Sequence, residues 1–344
     1  MKQVDVLIIG AGPAGSICGY LLKKAGVDCL LVDHATFPRD KICGGGLTPK
    51  AWHLLDELMP GLSYDYMVIK RISLYIEEQY CCDIHIKDER SMLRIVRRRD
   101  FDNLLLQRYQ QAGGTFLQGS FAHFEMRSDD ESPVVVTLRS GEQIACRYLV
   151  GADGATSQVR QQIAPGSPHG FLFLEQYQER PTGVEPFITG GLSRKYDHGY
   201  FYVFPNMTHN VVGFGDNETT KDKFREVAAG LQYPLQPDAQ IRGAFIPRKS
   251  VVSPSPRVIL IGDAGGFPNR VSYEGLYYAM ATARNACEAI VSGKDFRQVN
   301  KVIFRKKRKE DFLDLLVYSR LGLATIKLIT RSPRFVNACF NFFV

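Results

Sequence analysis

Gly10, Gly12 and Gly15, with Pro13 and Ala14 inside the triplet, follow an apolar run and open a helical one. Residues that small let helix-terminal amides close around an anion, so the spacing fits the pyrophosphate of a dinucleotide. Asp33 ends the next apolar run about 20 residues on, where an acid bonds the hydroxyls of an adenosine ribose. A second cluster runs from Lys41 to Leu47 and sets Cys43 beside Gly44, Gly45 and Gly46. Three successive residues without side chains suit a backbone pressed against a flat ring or a phosphate. The turn at Asp153 and Gly154 brings polar groups toward the first glycine motif. Gly262 and Asp263 form another turn, with Asp263 placed to accept bonds from ribityl or ribose hydroxyls. Glu274, Gly275 and Leu276 then open a long helix, whose positive end suits the anionic edge of a reduced flavin. These groups together predict a site for FAD.

The elements that must position them can be read in order. A strand at Val4 to Ile9, the glycine turn, a helix at Ser16 to Ala25 and a strand at Cys29 to Asp33 make a βαβ unit and predict a parallel sheet. A strand is expected at Arg71 to Ile76, then a basic stretch at Arg94 to Arg99 and a helix at Phe101 to Ala112. Strands at Val134 to Leu138 and Ile144 to Val150 are joined as a hairpin at Ser140 and Gly141. From Phe171 to Ala244 the chain is β-rich and aromatic, punctuated by Gly199, Gly213 and Gly215, as for an antiparallel sheet. A buried strand at Val258 to Ile261 returns it to the first lobe. Beyond Tyr277 it reads as helix to the end, with Phe312, Leu316, Leu323 and Ile326 at helix-like spacing, an amphipathic cap expected either to pack on the protein or to touch lipid.

Size and charge bound the reading further. A chain of 344 residues is expected to form two packed lobes. The net charge of +7 argues against a dedicated nucleic-acid binder and favours an anionic ligand or surface. Much of it sits at Lys306 to Lys309, read as a solvated helix face. The eight cysteines show no metal or disulfide spacing and are expected as thiols in a reducing compartment. The apolar start carries Asp5 and runs into the glycine turn, which marks it as part of the fold rather than a leader.

At this point the motifs match a family. The N-terminal glycine motif, Pro38 through Leu47, Arg98 to Asp102, the Asp153 turn and Gly262 to Met280 resemble the geranylgeranyl reductase family of flavoproteins, within the wider fold typified by p-hydroxybenzoate hydroxylase. These stretches span about four fifths of the chain. The resemblance implies FAD, contact of Arg98 with it, and Lys41, Cys43 and the following glycines along the flavin face. It implies reduction of an isolated C=C bond in an isoprenoid lipid as the ancestral chemistry. Gly199 to Pro205 resembles the family's aromatic pocket signature, with Tyr202 where the family has tryptophan, so Tyr200, Tyr202 and Phe204 are expected either as a strand face in the core or as a wall of the lipid pocket.

The fold expected is α/β: a discontinuous Rossmann-like FAD-binding domain (1–70, 97–162 and 252–300), an antiparallel β-sheet substrate domain (71–96 and 163–251) and a C-terminal helical cap (301–344). Hydride transfer from FADH₂ needs a proton donor, for which Cys43, Tyr202 and Glu274 are the candidates. The electron donor, NAD(P)H in transient contact or reduced ferredoxin, stays open. A lipid-like small molecule is the expected substrate. The expected location is cytoplasmic, with peripheral contact at the inner membrane surface open. The alternative is an FAD-dependent monooxygenase of an aromatic or lipid. Against it, Gly266 and Phe267 stand in place of the alanine-histidine pair of such enzymes, and one of their two later glycines is present, at Gly275. A prenyl-binding escort without redox activity is a third reading, set against an intact cofactor constellation.

Overall fold

The computed structural model describes residues 1–128 and 133–337. Its first sheet runs, in spatial order, Thr115–Gln118, Cys29–Asp33, Lys2–Ile9, Gln143–Gly151, Val134–Leu138 and Phe121–Met126, and Val258–Leu260 pairs with Gln143–Gly151. The strands from Thr115 across to Gly151, and Val258–Leu260, pair in parallel; the other two form antiparallel pairs. The central strands are buried on both faces, which is why Val6 to Ile9 and Leu30 to Val32 are continuously apolar rather than alternating. The helix Pro13–Lys24 packs on this sheet and against Leu276–Ser292. It starts at Pro13, earlier than the expected Ser16, because proline at the first helical position has no amide to leave unpaired. Arg98–Gln111 likewise begins earlier than the expected Phe101.

The second sheet has seven strands in the order Ile241–Ile246, Phe171–Glu179, His209–Asp216, Tyr200–Pro205, Ile188–Leu192, Arg71–Ile76 and Gln79–His85. All its neighbours are antiparallel except Ile188–Leu192 with Arg71–Ile76. Gly213 and Gly215 lie inside His209–Asp216 rather than between strands, because the rings of Tyr202 and Phe173 lie over them. A Cβ there would stand 2.1 Å and 2.6 Å from those rings. Gly46–Leu47, Leu93–Ile95 and Met67–Ile69 form a third, small sheet in that order.

The helices Lys301–Val317 and Arg320–Thr330 cap the fold. Leu323 is buried as expected, but Phe312 and Leu316 face outward, and the face turned inward carries Ile303, Lys307, Glu310 and Asp314. Lys307 is therefore not on a solvated face. Its ammonium donates to the Pro268 carbonyl at 3.0 Å and pairs with Glu310 at 2.7 Å, which offsets the loss of water. The expected continuation of helix through 338–344 lies outside the described residues. Among those residues no helix is long and apolar enough to cross a membrane.

Candidate functional site

The glycine turn is built around Asp33. Its Oδ2 accepts the Ala11 amide at 2.7 Å and its Oδ1 the Ala35 amide at 2.8 Å, so the carboxylate fixes the turn itself. Gly10, at φ +106°, would drive a Cβ to 2.4 Å from the Ala152 carbonyl, and a Cβ on Gly15 would lie 1.8 Å from that of Gly10. Those two glycines are required by the chain's own packing. Gly12 is different: a Cβ there meets Arg39 at an ordinary 3.5 Å, and no side chain caps the helix that it begins. Space and unpaired amides are thus left for an anion above Gly12, a cradle that fits the pyrophosphate of FAD.

Two more turns close on this one. The Asp153 carboxylate accepts the Ser157 hydroxyl at 2.5 Å and the Gln158 amide at 2.7 Å, capping the helix Gln158–Ile163. Arg160, which is 1% exposed, donates to the carbonyls of Asp263 at 3.0 Å, Ala264 at 3.1 Å and Ala155. It bolts the Asp153 and Gly262 turns together, and composition alone gives no sign of that. Enclosure pushes the Asp263 carboxyl up against the opposing pull of Lys41, Arg98 and Arg160. Arg98 is gripped by Asp102 through two bonds of 2.7 Å and 2.8 Å and also meets the Cys43 side chain. Lys41, Cys43, Arg98 and Asp263, far apart in sequence, are therefore neighbours.

The loop from Lys41 to Leu47 is held from both sides. Gly45, at φ +77°, would put a Cβ 2.1 Å from the Val96 carbonyl; the Val96 amide donates to the Gly45 carbonyl at 3.0 Å. Cβ atoms on Gly44 and Gly46 would approach the Phe204 ring to 2.8 Å and 3.0 Å. The flat ring that demands these two glycines in the chain is thus one of its own. Phe204 ends a row whose ring centres are 5.6 Å apart for Tyr200 and Tyr202 and 5.3 Å for Tyr202 and Phe204. Phe171, Phe173 and Tyr273 complete the cluster. Strand alternation turns Phe201 and Val203 to the opposite core, so the row is one face of a core strand and also the surface against the glycine loop.

Sequence reasoning missed Glu175. It sits on Phe171–Glu179, on the same face as Phe171 and Phe173, and is 2% exposed. The Tyr202 hydroxyl donates to its Oε1 at 2.5 Å, while its Oε2 has no partner among the described residues. Burial raises its carboxyl to about 7, against the opposing pulls of Tyr202, Arg242, Lys41 and the Cys43 backbone. Burial and Glu175 push the Tyr202 hydroxyl well up, so it stays protonated. The available signal was an acid in the middle of an apolar, aromatic strand, away from the polar end that carries Glu179. Glu274, by contrast, accepts from Thr48 and pairs with Lys50 at 2.6 Å, holding the loop after Leu47 to the start of Leu276–Ser292.

Sheet order, glycine turn and the three converging loops define a class: an FAD-dependent oxidoreductase. Residues 3–171 match the family model described as FAD binding domain. An uncharacterized protein of Methanosarcina barkeri is 30% identical, over 85% of this chain and 76% of its own length. A menaquinone reductase of Mycolicibacterium smegmatis is 29% identical, over 85% and 77%. A geranylgeranyl diphosphate reductase of Rhodobacter capsulatus is also 29% identical, over 84% and 75%. The crystal structure of a geranylgeranyl bacteriochlorophyll reductase-like protein from Thermoplasma acidophilum superposes with a TM-score of 0.76 at 19% identity, covering 96% of this chain and 92% of that one. The chain belongs to the geranylgeranyl reductase family of FAD-dependent oxidoreductases.

Proposed function

We propose that this enzyme reduces carbon–carbon double bonds of an isoprenoid or other lipid-like acceptor. The carrying observation is the aromatic row of Tyr200, Tyr202 and Phe204 lying against the glycine loop of Cys43, with one buried acid, Glu175, behind it. An apolar wall suits a hydrocarbon chain, and relatives named for reducing geranylgeranyl diphosphate and menaquinone support an acceptor of that kind. In this reading residues 1–70, 97–162 and 252–300 form the FAD domain, 71–96 and 163–251 the substrate domain, and 301–344 the cap.

Gly10, Gly12, Pro13, Ala14 and Gly15 hold the pyrophosphate of FAD; Asp33 holds the adenosine ribose. Asp153, Gly154, Gly262, Asp263, Gly275 and Leu276 close on the rest of the cofactor, and Lys41, Cys43, Gly44, Gly45, Gly46 and Arg98 line its flavin end. Bound and reduced, FAD supplies a hydride to one alkene carbon. Glu175 supplies the proton to the other, from Oε2; Tyr202, bonded to Oε1, holds the carboxyl in place. Glu274 is a weaker donor because Thr48 and Lys50 already engage its oxygens. NAD(P)H or reduced ferredoxin returns the electrons. Oxygen consumption separates this reading from the monooxygenase alternative. The pure enzyme with NAD(P)H and a polyprenyl acceptor is expected to consume no oxygen in step with product. Acceptor-stimulated oxygen uptake matched by hydroxylated product would replace the reductase reading.

A further inference from the structure

The cap helices have their apolar side outward. On Lys301–Val317 the inward stripe of Lys307, Glu310 and Asp314 is charged, yet Phe312 and Leu315 are each 63% exposed, with Leu313 and Leu316 beside them. A helix lying on a water-facing protein surface presents the opposite pattern. The inward charges are anchored: Glu310 to Lys307 and the Tyr278 hydroxyl, Asp314 to Arg248, with Asp311 at the edge paired to Arg270 at 2.9 Å. The helix therefore cannot simply roll over. Arg320–Thr330 extends the exposed apolar surface through Leu321, at 78%, and Leu328. Contiguous exposure of this kind marks a surface that meets something apolar.

Charge selects the partner. Arg305, Arg308 and Lys309 share an open groove with Phe312 and Leu313, and Arg320, Arg331 and Arg334 are exposed on the next segment. None of these six basic residues makes an ion pair among the described residues, and the sequence has no acid after Asp314. A second copy of the chain, packed patch to patch, would bring these cations together. An anionic lipid surface satisfies both features at once: acyl chains take the leucines and head groups the arginines. The patch also adjoins the aromatic row. Tyr318, in the joint between the two helices, donates to the Val271 carbonyl at 2.9 Å and packs on the cluster of Tyr200 and Tyr273.

We propose that the outer face of these two helices docks the enzyme on an anionic membrane, holding the aromatic row near the bilayer. The docking stands whatever acceptor is reduced; its use for delivering a lipid rests on the reading above. Flotation of the purified, flavin-loaded protein tests it. The probes are vesicles of phosphatidylcholine with phosphatidylglycerol and vesicles of phosphatidylcholine alone. The protein is expected to float with the anionic vesicles and to partition at least about tenfold less onto the neutral ones. The double variants Phe312→Ser with Leu315→Ser, and Arg308→Glu with Lys309→Glu, are expected to lower partitioning by about tenfold or more, with flavin content unchanged. Two results would overturn the proposal: sedimentation of the wild type away from both vesicle types, or a concentration-dependent dimer in light scattering that the serine pair converts to monomer. The second would assign the face to a second copy. Neither readout depends on turnover.

Discussion

Replacing Glu175 with glutamine removes a proton and a charge at nearly constant shape, and its consequences can be worked from the site. The carboxyl is raised from 4.5 to about 7 by burial, with Lys41 and Arg242 as the charged groups facing it and Tyr202 bonded to it. Between pH 6 and pH 8 its protonated fraction falls from about nine tenths to about one tenth, so a step that takes this proton slows about tenfold. The assay is stopped-flow oxidation of the reduced flavin by a polyprenyl acceptor without oxygen, from pH 5.5 to 8.5. The wild type is expected to lose rate with a break near 7. Glu175→Gln is expected to be slower by about 10²-fold or more and to show no break there. The same group has a thermodynamic signature. Its folded value lies above its unfolded one, so it favours the native state fully below about 4.5 and progressively less as pH rises through 7. At about 1.4 kcal/mol per pH unit, that is a loss of roughly 3 kcal/mol, which the glutamine variant does not show in denaturation at different pH. A flat wild-type rate profile, or a glutamine variant that keeps both the break and the rate, refutes the assignment. Burial also pulls the Lys307 ammonium down to about 7, so Lys307→Met is the control, expected to leave the kinetic break in place.

Five further substitutions separate the cofactor cradle from the scaffold. Gly12→Val is expected to leave the apoprotein's unfolding free energy within about 0.5 kcal/mol of wild type while weakening FAD binding, measured by flavin fluorescence; Gly15→Ala, whose Cβ meets the Gly10 carbonyl, is expected to destabilise the apoprotein itself by more than about 2 kcal/mol. Asp33→Ala leaves the Ala11 and Ala35 amides without their acceptor, costing about 1–3 kcal/mol in the apoprotein before any loss of affinity, as denaturation with and without FAD would show. Arg160→Met strips three carbonyls of their donor and is expected to lower stability by roughly 3 kcal/mol and flavin content with it. Glu274→Gln is expected to lower the melting temperature by releasing Lys50 while leaving the pH break intact. A lost break would instead make Glu274 the acid.

Local rules carried the sequence reading a long way where one residue type has one conformational use. The strands Cys29–Asp33, Arg71–Ile76 and Val134–Leu138 fall where alternation or apolar runs put them, and the hairpin turns at Ser140 and Gly141. Helix starts were placed late because a proline or arginine at a first turn reads as loop until the cap is seen. Pairing order in the second sheet is a matter of contacts between distant strands, which no local pattern encodes. Glu175 was overlooked for the same reason: its meaning lies in Tyr202, from another strand. Three successive glycines suit a backbone against a flat ring or a phosphate; that Phe204 packs on Gly44 and Gly46 is a contact with a distant strand, and nothing in the loop itself names it. The cap helix shows the limit most plainly. Periodicity reveals that Phe312 and Leu316 share a side, but it cannot say on which side the protein lies, and buried Lys307, Glu310 and Asp314 decided that.

The most direct measurement is a single anaerobic turnover. The purified enzyme, reduced with dithionite until the flavin bleaches, is mixed in turn with geranylgeranyl diphosphate and with menaquinone, and the acceptor is weighed by mass spectrometry. The account predicts that the yellow colour returns as one of these acceptors gains two hydrogens per double bond reduced. A flavin that stays bleached in the presence of both, with both acceptors recovered at their original mass, contradicts it.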